Sequence, residues 1–182
     1  MDTLKYDTCV IVGKSPTLDN ELISRYKHNG ALILTANNPL CEVKPNVCFM
    51  QDCIIGDFGQ KLNVCVSTLE ERKINEHIPR EYYLKTLDVT DNENGLCFYP
   101  YTGVACLHWA LRKRFKKVIV TGFSFENNHN HINGYVCFRE QHCLNIYKRN
   151  CAEIIVKMIK SGVQIQGDEI LNALKPIVEG LL

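Results

Sequence analysis

The chain has 182 residues, 46% of them hydrophobic and 23% charged, which suits one domain with a sizeable core and excludes a disordered or low-complexity chain. Lys and Arg number 21 against 20 Asp and Glu, a net charge of +1, so no broad basic face for duplex nucleic acid is expected. No apolar run approaches the ~18 residues that span a bilayer, and MDTLKYDTCV lacks the basic-then-apolar order of a secretory signal.

In chain order, residues 8–12 (TCVIV) form a β-branched run ending at Gly13, which predicts a buried strand. Residues 18–27 put Leu18, Leu22, Ile23 and Tyr26 at helical spacing, and His28-Asn29-Gly30 stops that helix. Further strands are expected over 31–35 (ALILT) and 46–50 (NVCFM), then over 62–66 and 82–87, with the charged segment 70–80 between the last two. Residues 103–115 (GVACLHWALRKRF) make an amphipathic helix whose basic last turn suits the negative helix end. A strand over 117–121 (KVIVT) ends at Gly122, and the polar stretch 126–134 reads as a surface loop. Leu144, Tyr147, Cys151, Ile154, Ile155 and Met158 recur at three and four, a long helix closing at Ser161-Gly162. A short strand over 163–165 and a terminal helix capped by Asp168 follow. Strands alternating with helices predict an α/β fold, a single domain over 1–182 with a mostly parallel sheet flanked by helices.

The 10 cysteines belong to a chain with its own core, which argues against a disulfide framework. They are expected to be reduced and mostly buried, in a cytoplasmic protein. No Cys-x-x-Cys occurs, which removes the usual zinc-knuckle and thioredoxin-type patterns.

Ligands of a parallel sheet bind beyond the carboxyl ends of its strands, and four polar clusters fall at such ends. Gly13, Lys14 and Ser15 open the first; a tight turn, a helix cap from Ser15 or Thr17, and an anion site at the helix start are all compatible with it. It is neither a Walker A loop nor G-x-G-x-x-G. Asn37 and Asn38 form the second, either an ordinary turn before Pro39 or donors and acceptors for a base or sugar hydroxyl. Tyr101, Thr102 and Gly103 form the third, with Thr102 a natural N-cap and Gly103 open to close approach. The fourth runs through Gly122, Phe123, Ser124, Phe125 and Glu126 to His129, His131 and His142. His142 shares one side of its helix with Asn145 and Arg149, away from the apolar stripe, and an imidazole there can take a proton at neutral pH. His108, beside Trp109, reads as core. His129, His131, Cys137, His142 and Cys143 offer metal-ligand chemistry but match no common zinc spacing, so no metal is assigned. No G-x-S-x-G elbow and no carboxylate pair for glycoside hydrolysis is evident.

Together these clusters resemble the bacterial sialyltransferases of glycosyltransferase family 42. VIVGKSPTL is similar to that family's first strand and Gly-x-Gly-Pro-Ser-Leu turn, and Ala36-Asn37 to its Cys-Asn pair. YTGVACLHWALRKRFKKVIVTGFSF resembles its Thr-Ser-Gly-Val helix start, strand and Gly-hydrophobic-Asp-Phe, with Ser124 where the family has Asp. His142 in EQHCLNIYKRNCAEIIVKMI occupies the place of the family's base. The resemblance implies a single Rossmann-like domain of the GT-A-like variant and an inverting, metal-independent transferase with no cofactor. Its donor would be a CMP-sugar of the CMP-sialic acid type, and its acceptor a glycan or other hydroxyl compound. Cytidine and ribose would lie near Gly13, Ser15, Asn37 and Thr102, with His142 as general base and Tyr135 or Tyr147 as candidates to hold the leaving phosphate. Two other functions fit the same residues: a nucleotide-binding module that has lost transfer, and a metal-dependent phosphoester enzyme.

Overall fold

Along the chain the elements are β1 (Thr8–Val12), α1 (Asn20–His28), β2 (Leu32–Ala36), β3 (Val47–Met50), β4 (Val64–Val66) and β5 (Tyr83–Leu84). There follow α2 (Thr102–Arg112), β6 (Lys117–Thr121), β7 (Asn128–Asn130), β8 (Val136–Phe138), α3 (Gln141–Lys160), β9 (Gln164–Gln166) and α4 (Asp168–Leu181). The structure, a computed structural model, describes residues 5–36, 42–50, 64–66, 83–84, 102–130, 134, 136–138 and 140–182.

Among the described residues seven strands form one sheet in the order β5-β4-β3-β2-β1-β6-β9, and each adjacent pair is parallel. The middle strands are apolar along their length because helices cover both faces. Side chains alternate across the sheet. Cys9 and Ile11 point with Leu32, Leu34, Val118 and Val120 into a core shared with α2, α3 and α4. Val10 and Val12 point with Ile33 and Ile119 toward Ile23 of α1 on the other face. Register keeps the layers level, with Val10 opposite Ile33 on one side and Ile119 on the other. The α/β architecture expected from the alternation of elements is present, and its sheet order is consistent with a Rossmann-like fold.

Strand order reverses between β1 and β6: β1 leads through α1 to β2 on one side, while β6 pairs on the other. Such a switch point leaves room beyond the strand ends for a ligand.

Several local expectations need correction. α1 is capped by neither Ser15 nor Thr17: Asp19 accepts a 2.8 Å hydrogen bond from the Leu22 amide. Before it, Pro16 sits in a β-turn closed by Leu18 N donating to Ser15 O at 3.0 Å, the position where its fixed φ is favoured. Leu18 therefore precedes the helix instead of opening it. Thr102 is the buried first residue of α2 and not its cap. α2 stops at Arg112, short of Phe115, and Arg114 takes the left-handed conformation with φ 57°. Within the stretch read as a loop, Asn128–Asn130 pairs antiparallel with β8; a polar run shows no apolar alternation, so its partner strand decides its state. Asp168 is the first residue of α4, and Gly167 occupies the cap position.

Among the described residues, Cys9, Cys106 and Cys151 are buried outside any disulfide and Cys143 is partly buried, as expected for small core hydrophobes. Burial pushes the Cys9 thiol far up from its ordinary value. His108 lies in the core, only 2% exposed. No helix among the described residues is long and apolar enough to cross a membrane.

Candidate functional site

Beyond the carboxyl ends of β1 and β6, the two following loops lock together. The Gly13 amide donates to Thr121 O and the Ser15 amide to Gly122 O, both at 2.8 Å. A Cβ on Gly13 would lie 2.8 Å from the Gly122 carbonyl carbon and closer still to its oxygen. Gly13 is thus required by close backbone approach, and Gly122 by its φ of +71°. Asp19 N donates to Thr121 Oγ1 at 3.1 Å, which joins the start of α1 to the same junction. The amides of Gly13 and Ser15 are spent on protein carbonyls and are no longer offered to an anion.

The N-terminus of α2 meets the junction from the side. A Cβ on Gly103 would stand 2.6 Å from Phe123 Cε1 and 3.0 Å from Tyr147 Oη. Only a glycine lets the Phe123 ring and the Tyr147 hydroxyl approach the first turn so closely. Phe125 stacks on Tyr147 with ring centroids 5.0 Å apart. First-turn amides lack intrahelical partners, so α2 brings donors and a positive dipole end to this place. Of the candidate site residues in the four clusters, the structure brings Gly13, Lys14, Ser15, Thr102, Gly103, Gly122, Phe123, Ser124 and Phe125 to one edge. Asn37, Asn38 and Tyr101 lie outside the described residues, as do His131 and Tyr135.

Next to the junction opens a cleft of about 400 Å³, walled by residues 15–17 and 123–126, by Lys148 of α3, and by Glu169 and Ala173 of α4. Phe123 and Phe125 form an apolar floor. Lys148, Glu126 and Glu169 make no ion pair among the described residues. Ser15 is 5% exposed; its Oγ accepts from the Thr17 amide at 3.5 Å and the Thr17 hydroxyl at 3.1 Å, so its own proton is left to a ligand. A second groove, of about 430 Å³, runs between α1, β6 and α4. Its lining is largely apolar, and the Asp19 carboxylate within it is committed to capping α1. Glu169 lines both, while Lys148 and Glu126 line the first.

His142 is exposed in the first turn of α3, together with Asn145 and Arg149. Asn145 accepts from Gln141 Nε2 at 2.8 Å, and Arg149 pairs with Glu153 at 2.9 Å. At about 100° per residue this side of the helix lies roughly half a turn from the stripe of Leu144, Tyr147 and Cys151. α3 has 20 residues, about 30 Å at 1.5 Å each, and outruns β6. His142 therefore stands about 7.5 Å from the level of Tyr147 along the helix axis.

The sequence places Glu126 in the fourth cluster without a role of its own, and does not mark Lys148 or Glu169. A signal for Lys148 was present: it is four residues after Leu144 and three before Cys151, inside the apolar stripe, where a core residue is the rule. Glu126 and Glu169 carry no such signal, since carboxylates at loop and helix starts are common. Among the described residues no group of three His, Cys, Asp or Glu is placed to hold a metal ion. Comparison with family models, curated proteins and solved structures gave no match, so the functional argument rests on the site itself.

Proposed function

We propose that the protein is a metal-independent, inverting glycosyltransferase of the sialyltransferase-like, GT-A-related kind, which uses a CMP-sugar donor. The observation that carries this reading is the convergence of the Gly13–Ser15 turn, the Thr102–Gly103 helix start and residues 122–125 at the strand-order reversal. With the Gly13 and Ser15 amides committed, the phosphate of the nucleotide would be held by the first-turn amides of α2 and by the hydroxyl of Tyr147. In the step itself, His142 takes the proton of the acceptor hydroxyl, whose oxygen bonds to the anomeric carbon. The bond from that carbon to the phosphate oxygen breaks, and CMP departs as a monoester anion that needs chiefly hydrogen-bond donors around it.

A second reading, a nucleotide-binding module without transfer, is favoured by one observation. The α3 side chain on the cleft wall is Lys148, whereas His142 lies on the exposed side of the helix.

Thermal shift with CMP, UMP, AMP and NAD tests the shared part, because a ligand of the folded state raises its melting temperature. A shift specific to CMP is expected, and a flat response to all four overturns both readings. His142→Ala then separates them. For a transferase it lowers turnover by about 10²-fold or more while CMP binding persists. Saturable CMP binding with no sugar released from any CMP-sugar selects the module.

A further inference from the structure

The 400 Å³ cleft holds a combination of groups that a nucleotide phosphate does not need. Its charges are one ammonium, Lys148, and two carboxylates, Glu126 and Glu169, and none of the three is neutralised by another. A surplus of one negative charge repels a second anion. Carboxylates are pure acceptors, suited to sugar hydroxyls or an ammonium group, and the Ser15 hydroxyl and Lys148 supply the complementary donors. Phe123 and Phe125 give an apolar floor against which the face of a sugar ring can lie.

We propose that this cleft is the acceptor subsite and that it takes a neutral or amino-substituted sugar ring, discriminating against acidic sugars. Glu126 and Glu169 accept from its hydroxyls or ammonium, while Ser15 Oγ and Lys148 Nζ donate to its oxygens. The role of acceptor rests on the transferase reading above; the binding of the sugar does not.

The test is titration of the full chain, by ligand-observed NMR, with three hexoses that differ mainly in charge: glucosamine, glucose and glucuronate. Affinity is expected to fall in that order, by roughly threefold per step, since the charged groups are partly exposed and screened. The double variant Glu126→Gln/Glu169→Gln weakens glucosamine by about tenfold, as loss of charge-assisted hydrogen bonds predicts. Lys148→Gln, which removes the cleft's positive charge, tightens it by roughly twofold. CMP affinity, measured separately on the same variants, stays within about twofold, because the three charged groups are partly exposed and screened. Tighter binding of glucuronate or inorganic phosphate than of glucosamine overturns the proposal, as does no sugar binding up to tens of millimolar. An unchanged glucosamine affinity in the folded double variant overturns it too. Sugar binding without CMP binding leaves this inference standing and removes the transferase reading; CMP binding without sugar binding does the reverse.

Discussion

The junction that ends β1 and β6 and the cleft beside it are built from the same two loops, yet they have used their polar groups in opposite ways. In the junction, donors and acceptors are paired: Gly13 N with Thr121 O, Ser15 N with Gly122 O, and Asp19 N with Thr121 Oγ1. In the cleft, a serine proton, an ammonium and two carboxylates have no partner among the described residues. A buried polar group is costly to leave unsatisfied, so folding consumes the inner donors first and leaves the outer ones for a ligand. The turn that most resembles a nucleotide-binding loop is thus chiefly a structural lock, and on the proposed reading recognition falls to α2, α3 and α4.

Substitutions in the lock should therefore cost stability, and those in the cleft should not. The largest effect is expected from Gly13→Val. Its Cβ meets the backbone of Gly122, which the two 2.8 Å bonds prevent from retreating. A loss of about 3 kcal/mol or more, or failure to fold, should appear in urea unfolding, in line with overpacking against an unyielding neighbour. Gly103→Ala comes next. The added methyl meets the Phe123 ring at 2.6 Å, but a side chain can shift, and alanine gains helix propensity over glycine. The net loss should be about 1–2 kcal/mol. Phe123→Leu in the same chain should recover part of it, a coupling that a double-mutant cycle reads directly.

The same contrast explains what could be read before any coordinates. The buried strands were legible because their patterns depend on local chemistry alone: TCVIV and KVIVT correspond residue for residue to Thr8–Val12 and Lys117–Thr121. α3 was legible because its apolar stripe repeats over many turns. The Gly13–Gly122 lock was only half legible. Glycine at a strand end signals a special backbone, but whether it serves an anion or a second loop depends on a segment more than a hundred residues away. The cap of α1 went to Asp19 for a similar reason: Pro16 builds a turn that delays the helix beyond Ser15 and Thr17. The cleft was least legible, because Glu126, Lys148 and Glu169 meet only through tertiary packing.

Asp19→Ala sharpens the comparison at its margin, since Asp19 belongs to the lock but is partly exposed. Loss of an N-cap carboxylate should cost about 1 kcal/mol. The Asp19 amide keeps its bond to Thr121 Oγ1, so ligand affinity should hold while the unfolding midpoint falls.

The smallest effect on stability is expected from Lys148→Gln, and it is the most telling. A lysine within the apolar stripe of a core-packed helix is ordinarily a liability, and its replacement by a shorter neutral residue is then stabilising. Lys148 escapes that cost because it is half-buried at the open cleft, where a lysine can keep its ammonium in water and its stem along apolar surface. With no ion pair to break among the described residues, the change should move unfolding free energy by less than about 0.5 kcal/mol in either direction. A loss several times larger would mean that the ammonium is part of the lock after all. A null change in stability joined to an altered ligand preference would mark it as a group that the fold holds in place for something other than itself.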